Sequence, residues 1–231
     1  MSTSKKLARI LGLAFLLQFI TSIVSGLGLQ PALVVPGDIP ATMANIAAKP
    51  WLLQINILVD MATAMGIVFL GVALYMALRA QNQLVALLGL GLYILEATLL
   101  AGSRLASFWL LRLSEAYVAT GQPAELELLA KVALESTDFV GLTLHVLVFS
   151  VGAILFYSLL YQSRIVPRAL SLWGLVTLLP ILYGVVGASL GYTLPEFLYL
   201  PYMPFEFVIG LWILFKGFDE RQAESLQLVP A

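Results

Sequence analysis

An all-α fold, a polytopic membrane bundle of six transmembrane helices in a single domain, follows from three features of the sequence. Hydrophobic residues make up 61% of the 231 residues and charged residues 11%, whereas soluble globular chains carry roughly 45–50% apolar and about 25% charged residues. Mean hydropathy is +0.97. The apolar residues are also gathered into six runs, most of them at or above the roughly 20 residues a helix needs to cross the hydrocarbon core.

The runs cover about residues 7–29, 51–78, 84–111, 139–161, 169–190 and 197–215. The first is too long for the apolar region of a cleavable leader, and no small-residue cleavage site closes it, so it reads as an uncleaved helix. Pro31, Pro36, Gly37, Pro40 and Pro50 make the next connection irregular until a short helix at 41–48. The second and third runs are joined by a short turn containing Arg79. A long acidic loop at about 114–137 follows, with Glu115, Glu125, Glu127 and Glu135. Within it Pro123 opens a short helix whose apolar stripe is Leu126, Leu129, Ala130 and Ala133, lying on the membrane or capping the bundle. Pro180 kinks the fifth run, and the last is interrupted by Pro201 and Pro204. Trp51, Trp109, Tyr117, Tyr161, Tyr199 and Tyr202 fall near span ends, as an interfacial aromatic belt requires.

Lys5, Lys6, Arg9, Arg79, Arg164, Arg168, Lys216 and Arg221 share one side of this arrangement; Lys49, Arg112 and Lys131 take the other. The positive-inside rule therefore places both termini in the cytoplasm, N-in and C-in, with the bacterial inner membrane as the expected location.

Composition excludes several chemistries. A net charge of −1 offers no basic surface, so no nucleic acid is expected as partner. No cysteine means no disulfide, thiolate site or cysteine nucleophile, and one histidine cannot build a three-histidine zinc site. No phosphate-binding loop, nucleophile elbow or zinc-protease motif occurs, and no cofactor or metal is expected. The expected partners are the lipid bilayer and a small-molecule or lipid ligand. Nothing in the sequence fixes an oligomeric state.

The informative residues are ionisable groups inside the apolar runs, each costing at least a few kcal/mol at mid-bilayer. They are Asp60, Glu96, Arg104, His145 and Glu206, with Asp138 at the outer boundary. At about 1.5 Å per residue, Asp60 lies about 13 Å below Trp51, Arg104 about 12 Å below Arg112 and His145 about 10 Å below Asp138. Glu206 falls at a similar level, and Glu96 lies deeper. Asn56, Asp60 and Thr63 share a helix face, as do Asp138, Gly141, His145 and Gly152. Glu96 and Arg104 are too far around their helix to pair, so Arg104 needs Asp60 or Glu206 from a neighbour. Three carboxylates against one arginine leave an excess of acid, to be met by a proton or a ligand, at Glu96 first. Gln18, Thr21, Ser22 and Ser25 in the first run either hydrate a cavity or bond across helices.

Three stretches together resemble a known family: Lys5-Lys-Leu-Ala-Arg-Ile-Leu-Gly12, Ser163-Arg-Ile-Val-Pro-Arg-Ala-Leu-Ser-Leu-Trp-Gly-Leu175 and Leu211-Trp-Ile-Leu-Phe-Lys-Gly-Phe218. The chain is similar to bacterial membrane proteins labelled domain of unknown function 4386. The resemblance implies acids in the third and last helices, matching Glu96 and Glu206, and implies no reaction.

Three functional readings remain open. The favoured one is binding or translocation of a small polar ligand or protons at Asp60, Glu96, Arg104, His145 and Glu206, supported by Asn56 and Asp138. A second is an intramembrane enzyme applying acid–base chemistry to a lipid or isoprenoid, and a third a structural or partner protein whose polar network fixes helix register. No catalytic residue is identified, so enzymatic activity is left undecided, and no clearly broken pair of helices marks a transporter.

Overall fold

Capping and turn chemistry cut the apolar sequence into helices. The computed structural model describes residues 3–192 and 196–225, and the regular elements among them are all helical. Helix α1 (Thr3–Ile23) runs into a π-helical turn at Val24–Leu29 and a 3₁₀ turn at Gln30–Ala32. Asp38 starts α2 (Ile39–Ala48) by accepting the Ala41 N–H at 2.9 Å, and Pro50 opens α3 (Pro50–Leu78). Asn82 caps α4 (Gln83–Ala119) through the Val85 N–H at 3.1 Å.

Gly121 and Gln122 then turn the chain with positive φ into α5 (Ala124–Asp138). A π-helical turn at Phe139–Leu144 leads on to α6 (His145–Ser163), which ends at Arg164 in the left-handed region. Helix α7 (Arg168–Ser189) contains Pro180. A 3₁₀ turn at Glu196–Tyr199 precedes α8 (Met203–Lys216), and Gly217 at φ 74° separates it from the short α9 (Glu220–Ser225).

Among the described residues six helical segments are long and apolar enough to cross a membrane: Ser4–Ala32, Pro50–Leu78, Gln83–Ala119, Ala124–Ser163, Arg168–Ser189 and Phe197–Lys216. Their outward faces carry large apolar side chains such as Leu58, Phe69, Leu105, Leu179 and Phe215, all exposed. In water such a surface would be untenable; against lipid it costs nothing. The fold is that of a multi-pass membrane protein.

One expectation needs correction. The stretch at 114–137 is not a long loop: α4 extends to Ala119, and α5 continues through the π-helical turn into α6. The two helices project together beyond the apolar runs because they bury one another's small and aromatic faces. Ala130 and Ala133 pack with Leu110, Leu111 and Tyr117 in a second core cluster, joined by Leu33, Met43 and Ile46 from the α1–α2 region. Leu129 stays exposed. The buried part of the apolar stripe of α5 therefore packs on α4 and α2.

In the main core α1 packs against α8 and α3, α3 against α4, α4 against α6, and α6 against α7, while α7 meets α8 more sparsely. The α1–α8 crossing is close: a Cβ on Gly12 would stand 2.6 Å from the Leu214 nitrogen and 2.9 Å from the Gly210 carbonyl oxygen. Helices without a hydrophobic drive between them rely on such close approach. At one end of the bundle the Asp219 N–H donates to the Ile165 carbonyl at 3.0 Å, and Lys5 lies 3.2 Å from Glu220.

Candidate functional site

The ionisable residues separate into two groups. In the first, Arg104 Nη1 donates to Asp60 Oδ2 at 2.8 Å, an ion pair with both side chains largely buried. The guanidinium also donates to Ser103 Oγ from Nε (3.0 Å) and Nη2 (2.8 Å). Of the two partners open to Arg104, Asp60 is the one it takes. Gly141 makes room for this arrangement, since a Cβ there would lie 2.5 Å from Arg104 Nη2 and 2.6 Å from Ser103 Oγ. Asp138, one turn earlier, is within electrostatic reach of Arg104, and its Oδ1 is buried with no hydrogen-bond partner among the described residues. Asn56 donates to Ser25 Oγ of the first π-helical turn at 2.8 Å. As the phase of α3 predicts, Asn56, Asp60 and Thr63 are all buried.

The second group gathers Glu96, His145 and Glu206. Glu96 is 1% exposed. Its Oε1 stands 3.5 Å from His145 Nε2, an ion-pair distance without a hydrogen bond. Glu96 Oε2 and both imidazole nitrogens have no hydrogen-bond partner among the described residues. The π-helical turn Phe139–Leu144 sets this contact up: the His145 N–H reaches back five residues to the Val140 carbonyl, so the face of α6 is rotated relative to that of α5.

Glu206 lies in the first turn of α8, where the amide dipoles favour a carboxylate. It accepts a hydrogen bond from Tyr202 Oη at 3.0 Å, and Tyr202 Oη is 2.6 Å from Tyr157 Oη. Glu96 lies within electrostatic reach of Glu206. Tyr93, one helical turn before Glu96, is buried with its hydroxyl unpartnered among the described residues.

Glu96, His145, Tyr202 and Glu206 line a cavity of about 190 Å³, together with Gln18 and Ser22 from α1 and an aromatic and aliphatic wall that includes Phe149 and Ile181. Phe149 and Tyr202 meet edge to face, centroids 5.4 Å apart. The backbone around it is irregular in three places. These are the two π-helical turns and the break at 200–202, where Trp173 Nε1 donates to the Pro201 carbonyl at 3.2 Å. Irregular backbone at membrane depth is tolerated where it is buried in protein or lines a cavity, and π-helical turns are frequent at functional sites. Among the described residues no group of three His, Cys, Asp or Glu side chains is disposed to hold a metal ion.

Two tyrosines depart from the interfacial belt. Tyr202 is buried beneath Glu206, and Tyr117 is buried with its hydroxyl 2.6 Å from Glu127 Oε1. A phenol beside a carboxylate serves as a donor, and proximity to a span end does not distinguish that role from anchoring. Tyr157 and Tyr93, neither singled out by the sequence, complete the hydroxyl cluster. The available signal was spacing: Tyr93 precedes Glu96 by three residues and Tyr202 precedes Glu206 by four, each on its acid's helix face.

The helices and the cavity among them define a multi-pass membrane protein with a cluster of buried polar residues. The chain belongs to the family described as a domain of unknown function, DUF4386, whose model matches residues 10–217. No curated protein and no solved structure matches the chain.

Proposed function

We propose that the protein binds or translocates a small polar ligand or protons in the cavity bounded by Glu96, His145 and Glu206. The observation that carries this reading is the convergence of two buried carboxylates and an imidazole from three helices on one cavity, with Glu96 Oε2 and the imidazole nitrogens unpartnered among the described residues. Register alone is served more cheaply by a direct pairing such as that of Asp60 with Arg104, whose guanidinium is bonded to Asp60 and Ser103 within the bundle. Those two residues, with Asn56 and Asp138, accordingly hold the helices around the cavity. Glu96, His145 and Glu206 contact the ligand.

The cavity sits in a single six-helix domain with both termini in the cytoplasm of a bacterial cell, in the inner membrane. Eight basic residues against three on the opposite side support that orientation.

Native mass spectrometry of the purified protein, beside Glu96→Gln and Glu206→Gln, tests the reading. A discrete retained mass in the wild type, absent from both variants, is the expected result. Folded variants that keep every adduct and the cellular phenotype of the wild type would leave the cavity without a role.

A further inference from the structure

The ligand class follows from the charges and surfaces that face the cavity, taking the proposed binding site as given. Two carboxylates, Glu96 on α4 and Glu206 on α8, line the cavity together with one imidazole, His145 on α6. When both carboxyls are ionised, even a fully charged imidazolium leaves one negative charge in this centre for a ligand or a proton to meet. Neither Lys nor Arg is among the described residues that line the cavity. The nearby guanidinium of Arg104 is already committed to Asp60 at 2.8 Å and to Ser103.

The rest of the lining is a surface for a hydrocarbon-bearing ligand. Phe149 and Tyr202 present rings, and Val146, Ile181 and Met203 present aliphatic groups. A strongly hydrated metal ion would have to shed its water against this wall, and no three-ligand cluster stands ready among the described residues. An anion would meet two carboxylates. A substituted ammonium suits both halves: its charge lies between the acids, and its carbon skeleton rests on the rings, where cation–π attraction adds to burial. At about 190 Å³ the space is below the roughly 300–1,000 Å³ of pockets for drug-sized molecules, so the part of the ligand it holds is small.

We infer that the cavity takes a small organic cation, an alkyl- or arylammonium, seated between Glu96 and Glu206 against Phe149 and Tyr202. Glu96, whose buried Oε2 has no hydrogen-bond partner among the described residues, is the primary counter-charge; Glu206, steadied by the Tyr202 hydroxyl, is the second.

The test is calorimetric titration of the protein in lipid nanodiscs with n-butylammonium and benzylammonium, beside n-butanol and butyrate as probes of similar shape and different charge. At least one ammonium is expected to bind saturably, with the alcohol and the carboxylate tenfold or more weaker. This comparison uses the wild type alone and does not depend on a variant folding. Glu96→Gln and Glu206→Gln are each expected to weaken the ammonium by about tenfold or more, as loss of a buried charge partner does. Butanol or butyrate binding as tightly as the ammonium ions overturns the cation assignment; if that binding still fails in the glutamine variants, the polar-ligand site itself stands. Saturable ammonium binding indifferent to both substitutions overturns the proposed seat. Absence of binding by both ammonium probes at millimolar concentration also overturns the assignment. Should no probe and no retained mass sense either glutamate, the cavity reading falls with it.

Discussion

The Tyr202 hydroxyl joins two helices at once: from the N-cap of α8 it donates to Glu206 Oε1 at 3.0 Å and lies 2.6 Å from Tyr157 Oη on α6. In a lipid-embedded interior no water stands by to replace a lost donor. Tyr202→Phe is therefore expected to leave Glu206 under-satisfied and to destabilise the bundle by about 1–3 kcal/mol. Tyr157→Phe is expected to cost less, because Glu206 keeps its phenol. Reversible unfolding in bicelles by increasing detergent fraction measures both, and equal costs would show that the carboxylate does not depend on Tyr202.

Asp60 and Arg104 invite a different experiment. Breaking a buried pair from one side strands the other charge, so Arg104→Met is expected to lose about 3–5 kcal/mol. Removing both charges, as in the Asp60→Leu/Arg104→Met double variant, is expected to recover most of that stability, because replacing the pair with apolar groups removes the desolvation cost. The pair lies outside the cavity lining, so the double variant is also expected to retain the adduct found in the wild type by native mass spectrometry. Loss of that adduct from a stably folded double variant would move Arg104 into the ligand site.

These two groups show how far the sequence carries. All five intramembrane ionisable residues could be named in advance, since any charge within an apolar run stands out and helical phase shows which neighbours share its face. Phase does not reveal which helix lies opposite. Arg104 therefore had two acids open to it, and the helical rise put His145 level with Arg104 when its contact is Glu96. The π-helical turn at Phe139–Leu144 changes the rotation of α6 within a run of ordinary apolar residues. No composition signal marks it. The tyrosines were visible as residues but not as donors, because belt and core positions recur at the same distance from a span end. The helix opened by Pro123 was legible from its spacing and is α5; the extension of α4 to Ala119 and its pairing with α5 were not, because those residues are polar on one face and fall outside the apolar run.

Close helix contact gives a third expectation. Gly12→Ala places a methyl 2.6 Å from the backbone nitrogen of Leu214, and backbone cannot rotate away as a side chain can. The α1–α8 crossing must widen, at a cost of about 1–3 kcal/mol. Gly91→Ala, also on a helix, meets nothing within 4 Å and is expected to be neutral or to gain up to about 1 kcal/mol from helix propensity. Unfolding curves for the two variants should shift in opposite directions or differ clearly in size; matching shifts would mean that the α1–α8 contact is not a stability determinant.

Orientation is open to chemical labelling because the sequence contains no cysteine. Gln81 lies in the exposed turn between α3 and α4, and Glu125 is exposed near the start of α5. A single span, α4, separates them, so they must emerge on opposite faces if that helix crosses the bilayer. The basic residues favour the Gln81 side for the cytoplasm. In intact cells a membrane-impermeant maleimide is expected to label Glu125→Cys and to spare Gln81→Cys until the membrane is opened. The converse pattern would invert the orientation while keeping six spans. Labelling of both positions in intact cells would contradict the crossing of α4 itself, and with it the placement of Glu96 inside the membrane.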